Sequence, residues 1–544
     1  MAKRQTRTEA VPPDPPVNNW TLPAPPRIVW ICCALIFCAS LLVFSPVRNN
    51  DFVDYDDGAY IHHNPPVRGG LSVDGIVWAW TTVRYFYWQP LTWISHMLDV
   101  SLFGLDPGPH HIVNLILHSL NGAVLFFALW RLTDRMWPAL FAAAVHTLHP
   151  LRVESVAWAA ERKDVLSGLF LSATVLAYSY YAKTGRKQWY WWMIGLAAAA
   201  YCSKPTVVVL PIFLLALDWW PLARVSALGW KPLLKEKLPL FAFSILVSGF
   251  TLIGQSEKAM FTIEQLPLFP RLWNALHAYL SYLIKFFYPV HLGVFYPHQP
   301  IDTMEAVAAV ACMAGISVAA LALRHKAGYL LCGWIWFVIG ILPTSGITQA
   351  GEQSYADRFT YIPAIGLALI VSFGAAHLLR NVSLPAPAVA AAGIVLVAAL
   401  GWGSYLQSEH WKNTETMCLR AIEATGVNPN MRQILGDLYM RESRWDEAMV
   451  QLRELTKDFP ELPIPHKDMG TIHLRRKEYP DAVREFQIAS QKAPGNVEIL
   501  KLLGLALIQS GRHQEAAQTL QTVLRLSPSD PQAAQWLRGL TTVP

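Results

Sequence analysis

The sequence predicts an all-α membrane protein, in which a polytopic helix bundle precedes a solenoid of helical repeats. Apolar residues make up 53% of the 544-residue chain and charged residues only 15%, whereas soluble domains carry about 25% charge. The polar residues are concentrated after residue 402, where three columns of identical residues also recur at one period. These observations exclude a disordered chain, a collagen and a purely soluble enzyme.

The first 27 residues are rich in proline and carry four basic residues, so they predict a flexible cytoplasmic tail. The apolar segment 28–47 follows, and at about 1.5 Å per residue it is long enough to cross a bilayer core of about 30 Å. Its basic flank keeps the N-terminus in the cytoplasm. The segment lacks a small-residue cleavage site and therefore predicts a retained helix rather than a signal peptide.

Ten further spans complete a membrane domain over residues 28–402. Basic residues in alternate loops become cytoplasmic if eleven spans cross with the N-terminus inside, and the residues after 402 then lie outside. Segment 271–289 is apolar enough to span but would invert everything after it, so we expect it to be re-entrant or to lie in the outer interface. The ten spans are 111–132, 137–151, 165–182, 189–203, 206–221, 238–253, 306–323, 328–342, 360–379 and 386–402.

Residues 403–430 read as a connecting helix with a half repeat, and residues 431–544 as three tetratricopeptide repeats with a C-terminal cap. The repeat is indicated by three columns spaced 34 residues apart. A solenoid of this type offers a concave groove for a peptide or protein, although a scaffold without a ligand is the alternative. The columns are Gly436, Gly470 and Gly504; Ala448, Ala482 and Ala516; and Pro460, Pro494 and Pro528.

The first outer loop carries three carboxylates, Asp54, Asp56 and Asp57, within four positions. Clustered carboxylates repel, so one of them is expected to have a raised pKa or to bind a cation. A carboxylate near the membrane surface could act as a general base on a hydroxyl. The alternative is a solvated acidic turn, since Asp-Gly is turn chemistry. On the second span, His111 and Asn114 share one helix face.

Cations and carboxylates recur in the other outer loops. Their combination predicts an anionic ligand held by Arg and Lys beside oriented carboxylates, and the guanidinium of Arg358 could clamp a phosphate at headgroup depth. The alternatives are mutual salt bridges within the loops and, for Arg358, an interfacial anchor. The residues are His149, Arg152, Glu154, Glu161, Arg162, Lys163 and Asp164 in one loop, Lys204 in the next, and Glu352, Asp357 and Arg358 in a third.

Several segments resemble one known family along nearly the whole chain. The sequences YDDGAYIHHNPPV, PLTWISHMLD, GLDPGPHHIVNLILHSLN, HPLRVESVAWAAERKDVLSGLF, SKPTVVVLPIFLLALDWWP and ADRFTYIPAIG, ahead of the repeats, are similar to the transmembrane and tetratricopeptide-repeat family. Its animal members are protein O-mannosyltransferases of the C-type glycosyltransferase fold. The resemblance implies an inverting membrane glycosyltransferase that uses a polyprenyl-phosphate sugar.

The resemblance also implies roles for particular residues. The catalytic carboxylate falls on Asp56 or Asp57, with Asp56 preferred. His149, Glu154, Arg162 and Asp164 would shape the donor site. From their positions, Lys204 and Arg358 would bind the lipid phosphate, and His111, Asn114 and Glu352 would support the donor or acceptor site. A divalent cation, Mg²⁺ or Mn²⁺, could be held by Asp56, Asp57 and Glu154.

The expected partners are a polyprenyl-phosphate sugar lipid, membrane lipids and a protein whose Ser or Thr hydroxyl is glycosylated after the repeats bind it. No nucleic acid is expected, because the +6 net charge lies in basic loops without a basic-aromatic tract. The repeat style suggests a bacterial inner-membrane protein with periplasmic repeats. The rival hypotheses are a non-catalytic repeat scaffold for envelope assembly and a transporter of a lipid-linked sugar.

Overall fold

The computed structural model describes residues 25–83, 87–256, 267–298, 300, 302–347 and 351–541. Most of the predicted N-terminal tail, residues 1–24, lies outside the described residues. The described chain is almost entirely helical, and its strands β1 (Tyr296–Pro297) and β2 (Gln353–Tyr355) form one antiparallel pair. The predicted all-α architecture is confirmed.

The first part of the chain contains a membrane helix, a set of short loop helices and a long second membrane helix. The helices are α1 (Arg27–Val43), α2 (Pro65–Arg68), α3 (Val73–Thr81), α4 (Pro90–Phe103) and α5 (Pro107–Thr133). A 3-10 turn, Ser45–Asn49, and a π-helical turn, Gly58–His62, lie in the loop after α1. The side chain of Asp106 caps α5 by accepting from the Gly108 N–H at 3.2 Å, which satisfies one of the free N–H groups of its first turn.

The middle of the chain contains the long helix α8, which packs against both α5 and α9. The helices are α6 (Met136–Leu148), α7 (Val153–Ala157), α8 (Arg162–Thr184), α9 (Lys187–Ser203), α10 (Leu210–Trp219), α11 (Arg224–Leu228) and α12 (Trp230–Ser256). Three 3-10 turns lie between them, at Pro150–Arg152, Ala159–Glu161 and Pro205–Val209.

The third part runs from the outer loop region to the end of the membrane domain. Its helices are α13 (Leu268–Phe287), α14 (Thr303–Ala322), α15 (Gly328–Ile341), α16 (Ala364–Leu378) and α17 (Ala386–Glu409), with 3-10 turns at Leu342–Thr344, Asp357–Thr360 and Leu379–Asn381. Helix α17 continues past residue 402, where the sequence predicts the end of the membrane domain. Helix α13 is amphipathic: it buries Asn274 and Tyr282 and exposes Phe269 and Phe287, as a helix lying in the interface would.

Each of the eleven predicted spans coincides with a helical segment of the structure. Five helices are long and apolar enough to cross a membrane: Pro107–Thr133, Ala159–Thr184, Trp230–Gly254, Thr303–Ala322 and Ala386–Glu409. Several of the others are apolar but shorter, for example Arg27–Val43 and Met136–Leu148. The chain is therefore an integral membrane protein, while the number of crossings and their direction stay predictions.

Three helix pairs form the predicted repeats, and α18 (Thr414–Thr425) joins them to the membrane domain. The pairs are α19 (Pro429–Arg441) with α20 (Trp445–Asp458), α21 (Ile464–Arg475) with α22 (Tyr479–Lys492), and α23 (Val497–Gln509) with α24 (His513–Leu526), followed by α25 (Pro531–Thr541). The periodic glycine lets the two helices of a pair approach closely: a Cβ at Gly470 would lie 2.8 Å from the Phe486 ring.

The solenoid begins directly on the predicted outer loops. The Asp51 N–H donates to the Lys412 carbonyl at 2.8 Å, and the Asp54 N–H donates to the Thr414 hydroxyl at 2.9 Å. Glu352 accepts from the Asn430 amide at 2.6 Å. The first outer loop and the loop before α16 are thus both tied to the start of the repeats.

Helices α15 and α16 approach closely at two glycines, which yields a stability prediction. A Cβ added at Gly366 would overlap the Gly333 carbonyl oxygen, and a Cβ at Gly333 would overlap the Gly366 carbonyl. Membrane helices use such small residues for backbone contact. We expect Gly366→Ala to lose about 1–3 kcal/mol through overpacking, measured as a lower Tm in detergent by tryptophan fluorescence.

The matched control for this change is Gly315→Ala on α14, where an added Cβ meets nothing within 4 Å. It should leave Tm unchanged or raise it slightly, since Ala favours helix over Gly by about 1 kcal/mol. Equal Tm values for the two variants would contradict the packing argument.

Candidate active site

The Asp57 carboxylate fastens the first outer loop to the loop before α8. Its Oδ2 accepts from the Val53 N–H at 2.9 Å, and its Oδ1 accepts from the Ala160 N–H at 2.8 Å. The side chain is fully buried, and burial raises the pKa of Asp57 to about 7 although both N–H donors act in the opposite direction. Both oxygens are therefore occupied by backbone N–H groups, and the Asp57 side chain joins the two loops.

The neighbouring Asp56 is different. Its side chain is only half-buried, and within the described residues its carboxylate has no hydrogen bond or ion pair. Burial raises the pKa of Asp56 above its ordinary value, while the charges of Lys163 and Arg358 lower it. An unpaired carboxylate beside two cations is free to accept a proton from a bound hydroxyl.

Glu161 stands at the centre of a cluster of three cations. Its Oε1 lies 3.0 Å from Lys163 Nζ and 3.3 Å from Arg358 Nε, and its Oε2 lies 3.6 Å from Lys204 Nζ. Lys163 also lies 4.4 Å from the centre of the Tyr60 ring. Cations from α8, from the loop after α9 and from the loop before α16 therefore meet at a single buried carboxylate.

Two further carboxylates complete this charge cluster. Glu154 Oε1 accepts from Arg358 Nη1 at 2.5 Å and its Oε2 accepts from the Arg358 N–H at 2.7 Å. Asp164 binds Lys204 and accepts from the Ser155 hydroxyl at 3.0 Å. The cluster thus holds three cations and three carboxylates, all nine-tenths buried, and the charges of Lys163, Arg358 and Glu161 act on Asp56.

One nitrogen of the Arg358 guanidinium makes no ion pair in the described part of the chain. Its Nη1 and Nε face Glu154 and Glu161, whereas its Nη2 has no hydrogen-bond partner within the described ranges. The neighbouring carboxylates raise the pKa of Arg358 against the opposing effect of burial, so the guanidinium stays charged. A planar cation held on two sides with a third donor open suits a phosphate oxygen.

Arg162, predicted to shape the donor site, is directed elsewhere. Its guanidinium donates to Asp99 at 2.6 Å, to the Ser95 hydroxyl at 2.8 Å and to the His110 carbonyl at 2.9 Å, and its Nε donates to Asn114. The structure therefore separates Arg162 and Asn114 from the cations around Glu161. Lys163, the next residue along the chain, occupies the position facing Asp56.

Three other candidates hold backbone segments together. His149 bonds the Phe286 carbonyl at 2.9 Å through Nε2, and its Nδ1 accepts from the Leu151 N–H at 3.2 Å. His111 lies 3.3 Å from the Asp51 carbonyl. Glu352 is exposed and binds Asn430 at the start of the repeats. These side chains support the loops without joining the charge cluster.

The carboxylates proposed to hold Mg²⁺ or Mn²⁺ do not converge on one point. Asp56, Asp57 and Glu154 do not form a group whose ligand atoms lie within 4.8 Å of one another in the described part of the chain. Both oxygens of Asp57 already accept N–H groups, and both oxygens of Glu154 face Arg358. The geometry fits an ion-paired anion site better than a cage for a hard cation.

Two residues to which the sequence assigned no individual role, Lys163 and Glu161, also belong to the site. Lys163 is only one charge among many in its loop, and Glu161 is the shared partner of all three cations. A neighbouring buried set joins Lys285 of α13 to Asp357 at 3.3 Å, and Tyr296 to Asp357 at 2.8 Å. The Lys285 charge near the end of the amphipathic helix α13 is the sequence signal that points to this set.

Known proteins share both parts of this architecture. A family profile described as tetratricopeptide repeat matches residues 467–531. The protein O-mannosyl-transferase TMTC4 of Mus musculus is 23% identical over 468 residues, covering 73% of this chain and 62% of the relative. The protein O-mannosyl-transferase TMTC1 of Homo sapiens is 22% identical over 507 residues, covering 81% and 56%. The chain is thus similar to members of the transmembrane and tetratricopeptide-repeat family in both its membrane part and its repeats.

This chain spans about three fifths of the length of those curated relatives. Among solved structures, ArnT from Cupriavidus metallidurans bound to undecaprenyl phosphate is 17% identical and aligns over 94% of this chain and 84% of its own, with a TM-score of 0.40. The family resemblance carried by the outer-loop segments and the repeats is confirmed.

The different environments of the two neighbouring aspartates predict different effects of the same substitution. Asp57→Asn replaces one acceptor oxygen with an NH₂ group that must face a backbone N–H, so we expect a loss of about 1–3 kcal/mol. Asp56→Asn removes no hydrogen bond and should leave the Tm nearly unchanged. Thermal unfolding of the two variants in the same detergent measures the difference, and a larger loss for Asp56→Asn would refute the assigned positions.

Proposed function

We propose that this protein is a membrane glycosyltransferase that moves a sugar from a polyprenyl-phosphate donor to a Ser or Thr hydroxyl of a protein acceptor on the extracytoplasmic face. The observation that carries the proposal is the unpaired Asp56 carboxylate, on which the charges of Lys163 and Arg358 in the cation cluster act. A base and a phosphate-binding set of cations are the two parts that this reaction needs. The names of the relatives, protein O-mannosyl-transferases, support the same reaction class.

Asp56 is the proposed general base. The acceptor hydroxyl donates its proton to Asp56 while its oxygen attacks the anomeric carbon from the side opposite the phosphate. The bond between that carbon and the phosphate oxygen breaks, its electron pair leaves with the phosphate, and the configuration inverts. The raised pKa of Asp56 strengthens the carboxylate as a proton acceptor near neutral pH.

The cation cluster is the proposed phosphate site. Negative charge increases on the phosphate oxygen as the sugar leaves, and donors fixed in advance stabilise that charge in the transition state. Arg358 supplies the open Nη2, and Lys163 and Lys204 supply ammonium groups whose positions are fixed by Glu161 and Asp164. The carboxylates hold the cations in place and leave some of their N–H donors available to a phosphate.

The repeats are the proposed acceptor-binding module. Polar contacts run along the first helices of successive repeats, from Gln433 to Asp468 at 2.9 Å, and from Lys467 to Glu498 at 3.7 Å. Because the solenoid starts on the loop that carries Asp56, an acceptor segment held in its groove would stay near the base. Tethering raises the effective concentration of the hydroxyl at the site.

The Asp56→Asn variant tests the proposal. Removing the base should lower sugar transfer by about 10²–10⁴-fold, while the folded yield on size exclusion and binding of undecaprenyl phosphate stay unchanged. The readout is the intact mass of envelope proteins from cells that carry the wild-type or variant gene, since the added sugar appears as a mass increment whatever its chemical identity.

The control is Asp51→Asn in the same loop, because the Asp51 side chain is exposed and makes no hydrogen bond or ion pair within the described residues. It should keep wild-type transfer. Unchanged mass increments in Asp56→Asn cells would exclude this aspartate as the base and favour the scaffold. Movement of a fluorescent lipid-linked sugar across reconstituted vesicles, with no transfer, would favour the transporter.

The Arg358–Glu154 pair allows donor binding to be separated from folding. Arg358→Gln alone should destabilise the protein by about 3–5 kcal/mol, because it leaves the Glu154 carboxylate buried without its cation. The double variant Glu154→Gln/Arg358→Gln removes both charges and should fold. It should nevertheless bind undecaprenyl phosphate about 10–100-fold more weakly, since a charged hydrogen bond is worth about 1.5–3 kcal/mol.

Binding is measured by native mass spectrometry with undecaprenyl phosphate added in increasing amounts. The matched control removes an ion pair outside the cluster, Arg224 with Glu236 at 2.7 Å, through Arg224→Gln/Glu236→Gln. That variant should keep wild-type affinity. Equal affinity in the two double variants would remove Arg358 from the phosphate site.

A further inference from the structure

We propose that His96, Asp99 and His110 form a zinc site outside the charge cluster. His96 and Asp99 are three residues apart on α4 and so share one face of that helix, while His110 lies in the first turn of α5. The three residues are 0%, 3% and 0% exposed. None of them has a role in the proposed glycosyl transfer.

The distances fit a tetrahedral ion. One ligand atom from each residue lies within 4.8 Å of the other two, and Asp99 Oδ2 lies 3.5 Å from His110 Nδ1. Ligand atoms at about 2.0–2.2 Å from a tetrahedral zinc are about 3.5 Å apart. The Asp99–His110 pair is already at this spacing.

The hydrogen bond of His110 fixes which of its nitrogens is free. Its Nε2 lies 3.1 Å from the Gly104 carbonyl oxygen, and since a carbonyl only accepts, Nε2 carries the proton. Nδ1 of the neutral ring therefore presents a lone pair to the Asp99 oxygen at 3.5 Å. Two acceptors facing each other repel unless a cation lies between them. A backbone carbonyl that orients a histidine in this way is typical of metal ligands.

His96 provides a second, independent indication. Both of its ring nitrogens are buried and lack a hydrogen-bond partner within the described residues. Buried polar groups are rarely left unpaired, because each costs about 1–3 kcal/mol. Coordination of one nitrogen would account for an imidazole with no protein partner, placed beside a carboxylate and a second imidazole.

Arg162 orients two of the proposed zinc ligands. Arg162 donates to Asp99 Oδ2 at 2.6 Å and to the His110 carbonyl at 2.9 Å, as the hydrogen-bonded carboxylate of a metal site requires. Two imidazoles and one carboxylate favour zinc over Mg²⁺ or Mn²⁺, which prefer oxygen ligands. The ion would join loop helix α4 to membrane helix α5 and hold Arg162 away from the charge cluster.

Metal content tests the site directly. Full-length protein purified in detergent from zinc-supplemented cells should contain about one zinc per chain by inductively coupled plasma mass spectrometry. Removal of one ligand, in His96→Ala or in His110→Gln, should lower metal affinity by at least about tenfold, so that dialysis against a mild chelator strips the variants and leaves the wild type loaded.

His146→Ala is the matched control, because His146 is also fully buried with both ring nitrogens unpaired but belongs to no group of three ligands in the described chain. It should keep the zinc. Cobalt added to the stripped wild-type protein gives a readout that does not depend on a variant folding: visible d–d bands of four-coordinate Co²⁺ are expected. Wild-type protein without stoichiometric zinc and without these bands, or equal zinc in all variants, would overturn the proposal.

Discussion

The two hydrogen bonds of the Asp57 carboxylate fix the loop that carries Asp56 relative to the turn that leads into α8. One oxygen holds Val53 of the first outer loop, and the other holds Ala160 of the turn that leads into α8. Asp56 comes immediately before this anchor, and Glu161 and Lys163 follow closely after Ala160. The distance between the proposed base and the proposed phosphate-binding cations is therefore set by one buried side chain bonded to backbone on both sides, which resists displacement better than a pair of long side chains would.

The second constraint is electrostatic. Charges buried this close to lipid are costly unless each is paired and hydrogen-bonded, and the cluster meets this condition with three cations and three carboxylates. Glu161 contacts all three cations and so fixes them relative to one another. A site organised in this way has its cations in place before the substrate arrives. A bound phosphate then meets donors that need little reorganisation, which is the property that lowers a barrier involving charge development.

Much of this structure could be predicted from the sequence, because hydrophobic runs and a 34-residue period are properties of single segments. All eleven predicted spans coincide with helical segments, and the three repeats are where the glycine, alanine and proline columns place them. What the sequence could not supply is the rotation of each helix about its axis. Arg162 and Lys163 are adjacent, but neighbours on a helix point about 100° apart. Only the packed structure shows that Lys163 faces Tyr60 and Asp56 and that Arg162 faces Asp99.

Pairings between distant segments could not be predicted from the sequence either. Arg358 and Glu154 are separated by 204 residues, and nothing in the sequence of either segment identifies the other as its partner. His96 and His110 lie in the same polar stretch of the sequence, but only the packing of α4 against the start of α5 brings their side chains together. The polar residues of these loops predict a site at one face of the membrane, whereas their separation into an unpaired aspartate, an ion-paired cluster and a histidine group is a property of the packing.

The solenoid is likewise attached through hydrogen bonds of backbone N–H groups. The loop that carries Asp56 gives its Asp51 and Asp54 N–H groups to Lys412 and Thr414, and these bonds do not depend on the rotamers of exposed side chains. The exposed Arg441–Asp54 ion pair adds little, because such pairs contribute about 0–1 kcal/mol. Helix α18 also packs closely against the segment between α13 and β1, since a Cβ added at Gly293 of that segment would lie 3.3 Å from the Ala421 backbone. The orientation of the repeats is therefore fixed by buried and backbone contacts at their first turn, and the groove keeps a defined position relative to Asp56.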